Sequence, residues 1–502
     1  MICDIFTILS YFFFILISAI AFFYVYAKYQ QKYWSKRGIY TPPCHWLFGH
    51  FTDAFLAKRS FPQAFANLHN SIEVDAPVVG VYVLQKPFLL LRDPEVIKHV
   101  LIKDFNIFSN RYFAAKRKTD VIGCKNLFSI ENPHWKYIRS KLSAAFTAGK
   151  LKKYFPFVLA SAENMRSYLS SQMTDGQKVT VECRQLCDKY TTDVIINFAF
   201  GVQTNSFTNA ASEIYLRTRK LFELDLVRAI QIFATFFYPT ISDYLGGSML
   251  DKSTDYFRQI FWESMNKREK TGIKVGDIID LLIDLKNEKQ SSEFVFEGDY
   301  LVAQSAVLLL AGIETSAVTI SFTLLELAKH PDIQARVRQE IQEKLSNSDL
   351  NYDIVLKMTY LNQVVSETLR LYPPAPLIDR VASQDYQIPG TEITIDKGTA
   401  VYATLMGLHQ DPRYYCNPTK YDPDRFSEEQ KSNIVPCTYM PFGEGPRICI
   451  GMRIGQIQTL TGLAVILNEY EVTLNPKYKN ELSMRSMLLA PADGIRLYFT
   501  KL

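Results

Sequence analysis

A run of 23 residues without a charge, Ile5 to Ala27, constrains this chain more than any other feature. As a helix rising ~1.5 Å per residue it would span roughly 34 Å, enough to cross a bilayer. Asp4 precedes it instead of a basic segment, the apolar stretch is long, and no Ala-x-Ala follows. An uncleaved anchor therefore fits better than a cleaved signal peptide. A buried core helix is the remaining option, and the missing polar face counts against it. Lys28, Lys32, Lys36 and Arg37 come next, and by the positive-inside tendency they keep the following chain in the cytosol. Residues 1–27 read as the membrane anchor and residues 28–50 as a basic, proline-containing connector. Pro42-Pro43 favours an extended, stiff link, although a plain turn into the next domain is equally compatible.

Residues 51–502 contain no internal repeat and no low-complexity linker, so one large body is expected. The formal charge of +5 is too mild to point to nucleic acid, and none is expected as a partner. Eight scattered cysteines without a C-x-x-C pair, and seven histidines without H-E-x-x-H, argue against a disulfide framework or zinc module. Unpaired cysteines and absent glycosylation sequons fit a reducing compartment. Strand-like runs occupy Val78–Leu84 and Phe88–Leu91, separated by Gln85-Lys86-Pro87. Asp93-Pro94 looks like an N-cap followed by proline at the first helical position. From about residue 134 the pattern is mostly helical, and Pro331 opens a clear helix with Ile333, Val337, Ile341 and Leu345 at i+4 spacing. Lys286–Ser292 reads as a surface loop, and Gln387–Ile395 and Ile495–Phe499 as late strands. The fold class is mainly α (α+β), a helix-rich body with small β-sheets.

Four segments carry chemistry. In Pro441–Gly451, glycines flank Cys449 in a tight loop that runs into a helix, about Met452 to Leu467, apolar on most sides. The positive helix end and nearby N–H groups favour a thiolate, which is a nucleophile or a metal ligand. A structural Cys–Gly loop is the plain alternative, and a nucleotide loop at Gly443-x-Gly445 is broken by Pro446 and Ile448. On a second helix Leu361, Val364, Val365, Thr368, Leu369 and Tyr372 share a face, with Glu367 and Arg370 on the other, where a surface ion pair is the plain reading. Ala311-Gly312-Ile313-Glu314-Thr315-Ser316 lies inside an apolar helix of roughly Tyr300–Lys329. Glycine followed by hydroxyls invites a local distortion there, or serves as a packing notch. Trp135 and Arg139, four apart, share a helix face. Cys183 and Cys187 have the same spacing, but core packing explains them.

Together these segments resemble the cytochrome P-450 family. Phe442, Gly445, Arg447, Cys449 and Gly451 match its F-x-x-G-x-R-x-C-x-G signature in full. The resemblance implies haem b (iron protoporphyrin IX) with Cys449 as axial metal ligand, the ligation for which this family is a standing example. It also implies Arg447 on a haem propionate, glycines that let the backbone approach sulfur and porphyrin, and loop hydrogen bonds to the sulfur. The remaining propionate groups would be Trp135, Arg139 and Arg380, with His409 a weaker match. Glu367 and Arg370 match the family's E-x-x-R, whose third partner is Arg425 in Pro423-Asp424-Arg425-Phe426, with Asp424 in place of the usual glutamate. Ala311–Ser316 matches the oxygen-activating pattern and makes Thr315 and Glu314 the catalytic acid–alcohol pair that brings protons for O–O cleavage. The proline-rich connector departs from the family's pattern, with His45 at the third proline. Leu142–Lys152 looks most like insect microsomal relatives that metabolise xenobiotics.

The implied activity is insertion of one oxygen atom from O2 into a lipophilic small molecule (xenobiotic, hormone or fatty-acid-like). Electrons would come from NADPH through NADPH–cytochrome P-450 reductase, with cytochrome b5 as a second donor. The implied setting is the endoplasmic reticulum membrane, with the catalytic domain in the cytosol. A haem-thiolate isomerase or dehydratase acting on a peroxide, or a non-catalytic haem or lipophile binder, would share the fold; Thr315 and Glu314 count against both. By analogy the pocket would use Phe113–Gly123, the surroundings of Phe222, Val302–Thr315, Leu377–Val381 and Leu488–Ala490. Phe233–Tyr238 would either dip into the bilayer or pack in the core.

Overall fold

The computed structural model describes residues 2–113, 120–173, 177–209, 212–288, 294–479 and 481–502. Helix α1, Ile2–Gln30, contains the whole uncharged run, and residues 5–22 are all exposed along it. Burial begins where the run ends, at Ala27. The next apolar runs alternate as strands. β1, Val78–Val83, pairs antiparallel with β2, Lys86–Leu91. The turn is Leu84-Gln85, with Leu84 in left-handed backbone at φ 54. The expected separator is therefore too long: Lys86 and Pro87 pair with Val83 and Tyr82. The Asp93 carboxylate accepts from the N–H groups of Glu95 and Val96 and caps helix Pro94–Lys98, as its position before a proline predicts.

Four of the helices that follow bear on the site. They are α2, His134–Leu142, and α3, Cys183–Phe200, which follows strand β3, Lys178–Glu182. Next come α4, Leu226–Phe237, and α5, Asp299–Lys329. α5 is apolar nearly all round and buried along most of its length, as such a composition requires in a core. α3 lies directly against it. A Cβ on Gly312 would stand 2.7 Å from Ile195 Cδ1, so this glycine is a packing notch for α3. Lys286 and Asn287 finish a helix, Ile278–Asn287, instead of starting a loop; residues 289–293 lie outside the described ones.

Helix α6, Thr359–Leu371, leads into β4, Leu377–Val381, and then β5, Ala400–Thr404. These join the hairpin in a four-stranded sheet of order β1-β2-β5-β4, with β2 and β5 parallel. The expected strand Gln387–Ile395 is instead a small hairpin of Tyr386–Gln387 and Thr394–Ile395. Helix α7, Met452–Glu469, passes into β6, Tyr470–Leu474, which with β3 and β7, Arg496–Lys501, forms a second sheet, β3-β7-β6.

The chain that follows α1 is packed onto the first sheet. Trp34 is 1% exposed, and a Cβ on Gly80 in β1 would stand 2.2 Å from its ring. The Trp34 indole N–H donates to Val81 O at 3.3 Å, and its backbone N–H to the Tyr82 hydroxyl at 3.1 Å. Tyr82 in turn donates to Gln31 O at 2.9 Å. Gln31 Nε2 donates to the carbonyls of His45 and Trp46, and Phe23 and Tyr24 meet the Trp46 ring edge-on. Arg37 pairs with Asp396 at 2.5 Å. His45, at the family's third proline, makes a tight turn: its backbone bonds Gly49 in both directions, and its Nδ1 accepts from Leu47 and Phe48.

Candidate active site

The loop before α7 is folded by its own backbone. Cys449 N–H donates to Phe442 O at 2.9 Å, and Gly443 and Gly445 take φ of 77° and 73°. A Cβ on Gly445 would fall 2.0 Å from Leu101 O, so the backbone of a neighbouring segment requires a glycine here. Gly451 does border the sulfur, with a Cβ position 3.9 Å from Cys449 Sγ. Cys449 precedes Met452, the first residue of α7, by three positions. Burial pushes its thiol above the ordinary range, against the Gly451 N–H and the positive charges of Arg139 and Arg111.

Although deep in the body, Cys449 is exposed to a cavity of about 500 Å3, mostly apolar, that also meets Phe442, Thr315, Val307 and Phe128. Guanidiniums collect along its wall. Arg447 donates to Ser109 O at 2.5 Å and Ile130 O at 3.0 Å, with Trp135 covering it at 4.4 Å. Arg380 is 2% exposed and donates to Asp379 O, leaving Nε without a partner among the described residues. Arg139 also lines the cavity, and burial lowers its pKa. Arg111, which sequence reading missed, sits 3.0 Å from Asp379 and 3.9 Å over the Phe128 ring. No motif marks it. Asn110 bonds Val381 across the chain, and that pairing sets Arg111 beside β4. Burial and the charge of Arg111 push Arg380 down to about 9; burial, Arg111 and Arg380 push Arg447 down to about 8. Asp379 is the ion-paired carboxylate in this cluster. An apolar chamber with one cysteine sulfur and several under-neutralised guanidiniums fits a flat apolar group bearing two carboxylates and a thiophilic metal, which describes haem. Among the described residues no cluster of three or more His, Cys, Asp or Glu competes as a metal site.

Across the cavity, Thr315 opens onto the space and donates to Ala311 O at 2.6 Å. α5 runs through this turn as regular α-helix; the expected distortion is limited to hydroxyls bonding back to carbonyls, Thr319 to Thr315 included. Glu314 is buried and stands off the cavity, ion-paired with Arg184 in the first turn of α3, which also binds Asp188 at 3.1 Å. Burial pushes the Glu314 carboxyl up to about 7; Arg184 pulls it down, and Asp188 adds to the rise. The two adjacent residues of the acid–alcohol pair thus face different surroundings.

Glu367 and Arg370 are both fully buried, so the surface ion-pair reading is corrected. The carboxylate takes two bonds from Arg370, at 2.7 and 2.8 Å, one from Asp422 N–H, and lies 3.5 Å from Arg425. Arg370 also donates to the carbonyls of His409, Pro418 and Lys420. Asp424 turns outward to Arg336, which is why its departure from the usual glutamate leaves the network whole. His409 does not reach the cavity. Burial and Arg370 push its ring down to about 3, and the neutral Nε2 accepts from Met440 N–H, propping the start of the cysteine loop.

Of the expected pocket spans, Val307, Leu308, Ala311 and Thr315 of α5 and Leu377, Ile378 and Arg380 of β4 line the cavity. Phe222 and Leu488–Ala490 do not, and residues 114–119 lie outside the described ones. Leu127 and Phe128 line it unforeseen. Phe237 is fully buried and Phe233 and Phe236 pack against the first sheet, so this run is core; the exposed apolar side chains of α4 are Leu226, Val227 and Ile230.

Comparison with known proteins agrees with this geometry. The family model described as Cytochrome P450 matches residues 40–499. The chain is 42% identical to Cytochrome P450 6k1 of Blattella germanica, over 97% of this chain and 96% of that protein. It is 35% identical to Probable cytochrome P450 6g2 of Drosophila melanogaster, over 93% and 94% respectively. It is 34% identical to Cytochrome P450 6j1 of Blattella germanica, over 90% and 89%.

Proposed function

Since the chain belongs to the cytochrome P450 family and is on that ground a haem-thiolate monooxygenase, we propose that it oxygenates a neutral, lipophilic small molecule with electrons passed from NADPH by a flavoprotein reductase. The observation that carries this reading is one apolar chamber with Cys449 on one wall and Thr315 on the other. When bound, haem supplies the oxidising chemistry.

The chain's own residues do the rest. Cys449 would give the iron its thiolate. Arg380, Arg447, Arg139 and Arg111 would hold the two propionates, gaining the counter-charge their burial lacks. Phe128, Val307, Leu308 and Ile378 select apolar substrates and exclude water. Thr315 Oγ1 would hand on a proton at the cavity surface, and Glu314, with a pKa near neutrality, would replenish it from behind the helix. The exposed apolar α1 supports anchoring in the endoplasmic reticulum membrane, with the body on the cytosolic side.

Carbon monoxide added to the reduced holoenzyme should give the red-shifted Soret band of a thiolate complex. Cys449→Ala should lose it. A wild type without the band, or a variant that keeps it, overturns the assignment. A reductase-reconstituted screen of apolar compounds tests the substrate class; turnover confined to anionic compounds would refute it.

A further inference from the structure

Gln458 lies on α7, about two turns beyond the cysteine loop, and no part of its side chain is exposed. Its Nε2 donates to Gly312 O at 3.0 Å and to Ser316 Oγ at 2.5 Å. Those two residues bracket Thr315 on α5: Gly312 precedes it by three positions and Ser316 follows it. A flipped amide would set Oε1 against the Gly312 carbonyl oxygen, so the carbonyl fixes which way the amide faces. The Gln458 backbone is itself located, because its carbonyl accepts from the Tyr190 hydroxyl of α3 at 2.9 Å. α3, α5 and α7 meet at this residue. Gly312 gives way to Ile195 of α3, and Gly462 of α7 gives way to Tyr190.

Among the described residues, these two hydrogen bonds tie α7 to this turn of α5, where Gly455 of α7 borders Ser316. A two-point amide link resists rotation of one helix against the other. We infer that Gln458 is a positioning residue for Thr315: its amide fixes the helical turn bearing the Thr315 hydroxyl relative to the helix that grows out of the Cys449 loop. Oε1, buried and without a partner among the described residues, is a cost the fold carries at a site where an apolar residue would otherwise serve. Such a cost is expected where geometry, not stability, is being held.

The inference rests on the proton-delivery role of Thr315, and the test separates the two. Product formed and peroxide released per NADPH are measured for the reductase-coupled holoenzymes of wild type, Thr315→Ala, Gln458→Leu, Ser316→Ala and Gln458→Leu/Thr315→Ala. Gln458→Leu should raise peroxide per NADPH about threefold or more, as small displacements of catalytic groups do. Ser316→Ala should do the same to a smaller extent, and it keeps the test alive if Gln458→Leu does not fold. The double variant should release no more peroxide than Thr315→Ala alone. In parallel, the infrared C–O stretch of the reduced carbon monoxide complex should shift in Gln458→Leu and Ser316→Ala, and should not shift when Gln458→Leu is added to Thr315→Ala. Normal coupling in Thr315→Ala refutes the role of Thr315. Uncoupling there, with unchanged coupling and C–O stretch in both Gln458→Leu and Ser316→Ala, refutes the positioning role of Gln458, as does additive uncoupling in the double variant.

Discussion

Residues whose chemistry is fixed by short spacing were readable; residues placed by a remote segment were not. Phe442, Arg447 and Cys449 lie within one loop, so the sequence holds both their identity and their proximity. Arg111 joins them only because its neighbour bonds β4, nearly 270 residues away. That arrangement has a measurable consequence. Arg380→Gln should relieve repulsion in the empty cluster and raise the melting temperature of the apoprotein. The same change removes a charge-assisted bond worth ~1.5–3 kcal/mol in the loaded protein, so haem should pass to an apoprotein acceptor about 10–100-fold faster. Slower or unchanged transfer would take Arg380 out of the cofactor's grip. Glu314 adds a pH effect. Its folded pKa of about 7 lies above the usual 4.5, so the folded protein holds the extra proton between those values. Stability from this group is full below about pH 4.5 and lost as pH rises through 7. Between pH 5.5 and 7.5 the wild type should lose on the order of 1–3 kcal/mol more than Glu314→Gln, read from denaturant midpoints. Equal losses would mean that Glu314 titrates normally.

At the scale of elements, sequence pattern located the helices that carry the site motifs but could not say which faces were covered. α6 shows one apolar stripe, and its polar face reads as solvent-exposed. That face is covered by residues 409–425, whose carbonyls and Arg425 take up the charges of Arg370 and Glu367. Nothing local in α6 announces that cover. Glu367→Gln leaves Arg370 buried with a weakened counter-charge and should cost ~3–5 kcal/mol, seen as a lower unfolding midpoint before any effect on substrate binding. The cysteine loop depends on an equally remote contact. Gly445→Ala must place a Cβ on Leu101 O in left-handed backbone, so the loop should not close and haem should not be retained. Normal haem content in that variant would show that the loop tolerates a different path.

For the whole molecule, the exposed apolar helix and the family body were legible in the sequence, and the packing between them was not. The basic residues after Ala27 suggested a connector. The structure fills that span with Trp34, which the first sheet encloses. Among the contacts at the joint, magnitude ranks the indole against the ion pair. Arg37 and Asp396 are half-exposed, and such a pair is worth ~0–1 kcal/mol. Truncating a buried tryptophan costs ~3–5 kcal/mol. Trp34→Ala should therefore destabilise the detergent-solubilised protein by several kcal/mol, and Arg37→Ala by less than about 1. The reverse order would move the joint from the indole to the ion pair.

The sheet that encloses Trp34 is the sheet that carries Arg380. From the indole, β1 bonds β2, β2 bonds β5, and β5 bonds β4, so a continuous hydrogen-bonded ladder joins Trp34 to the strand beside the cavity. Helices lean further over in thinner bilayers. With α1 held in a bilayer, as proposed, that lean would pass through a ladder of hydrogen bonds to the chamber, and a change of lipid thickness would act on this enzyme as a lever acts on a rigid arm.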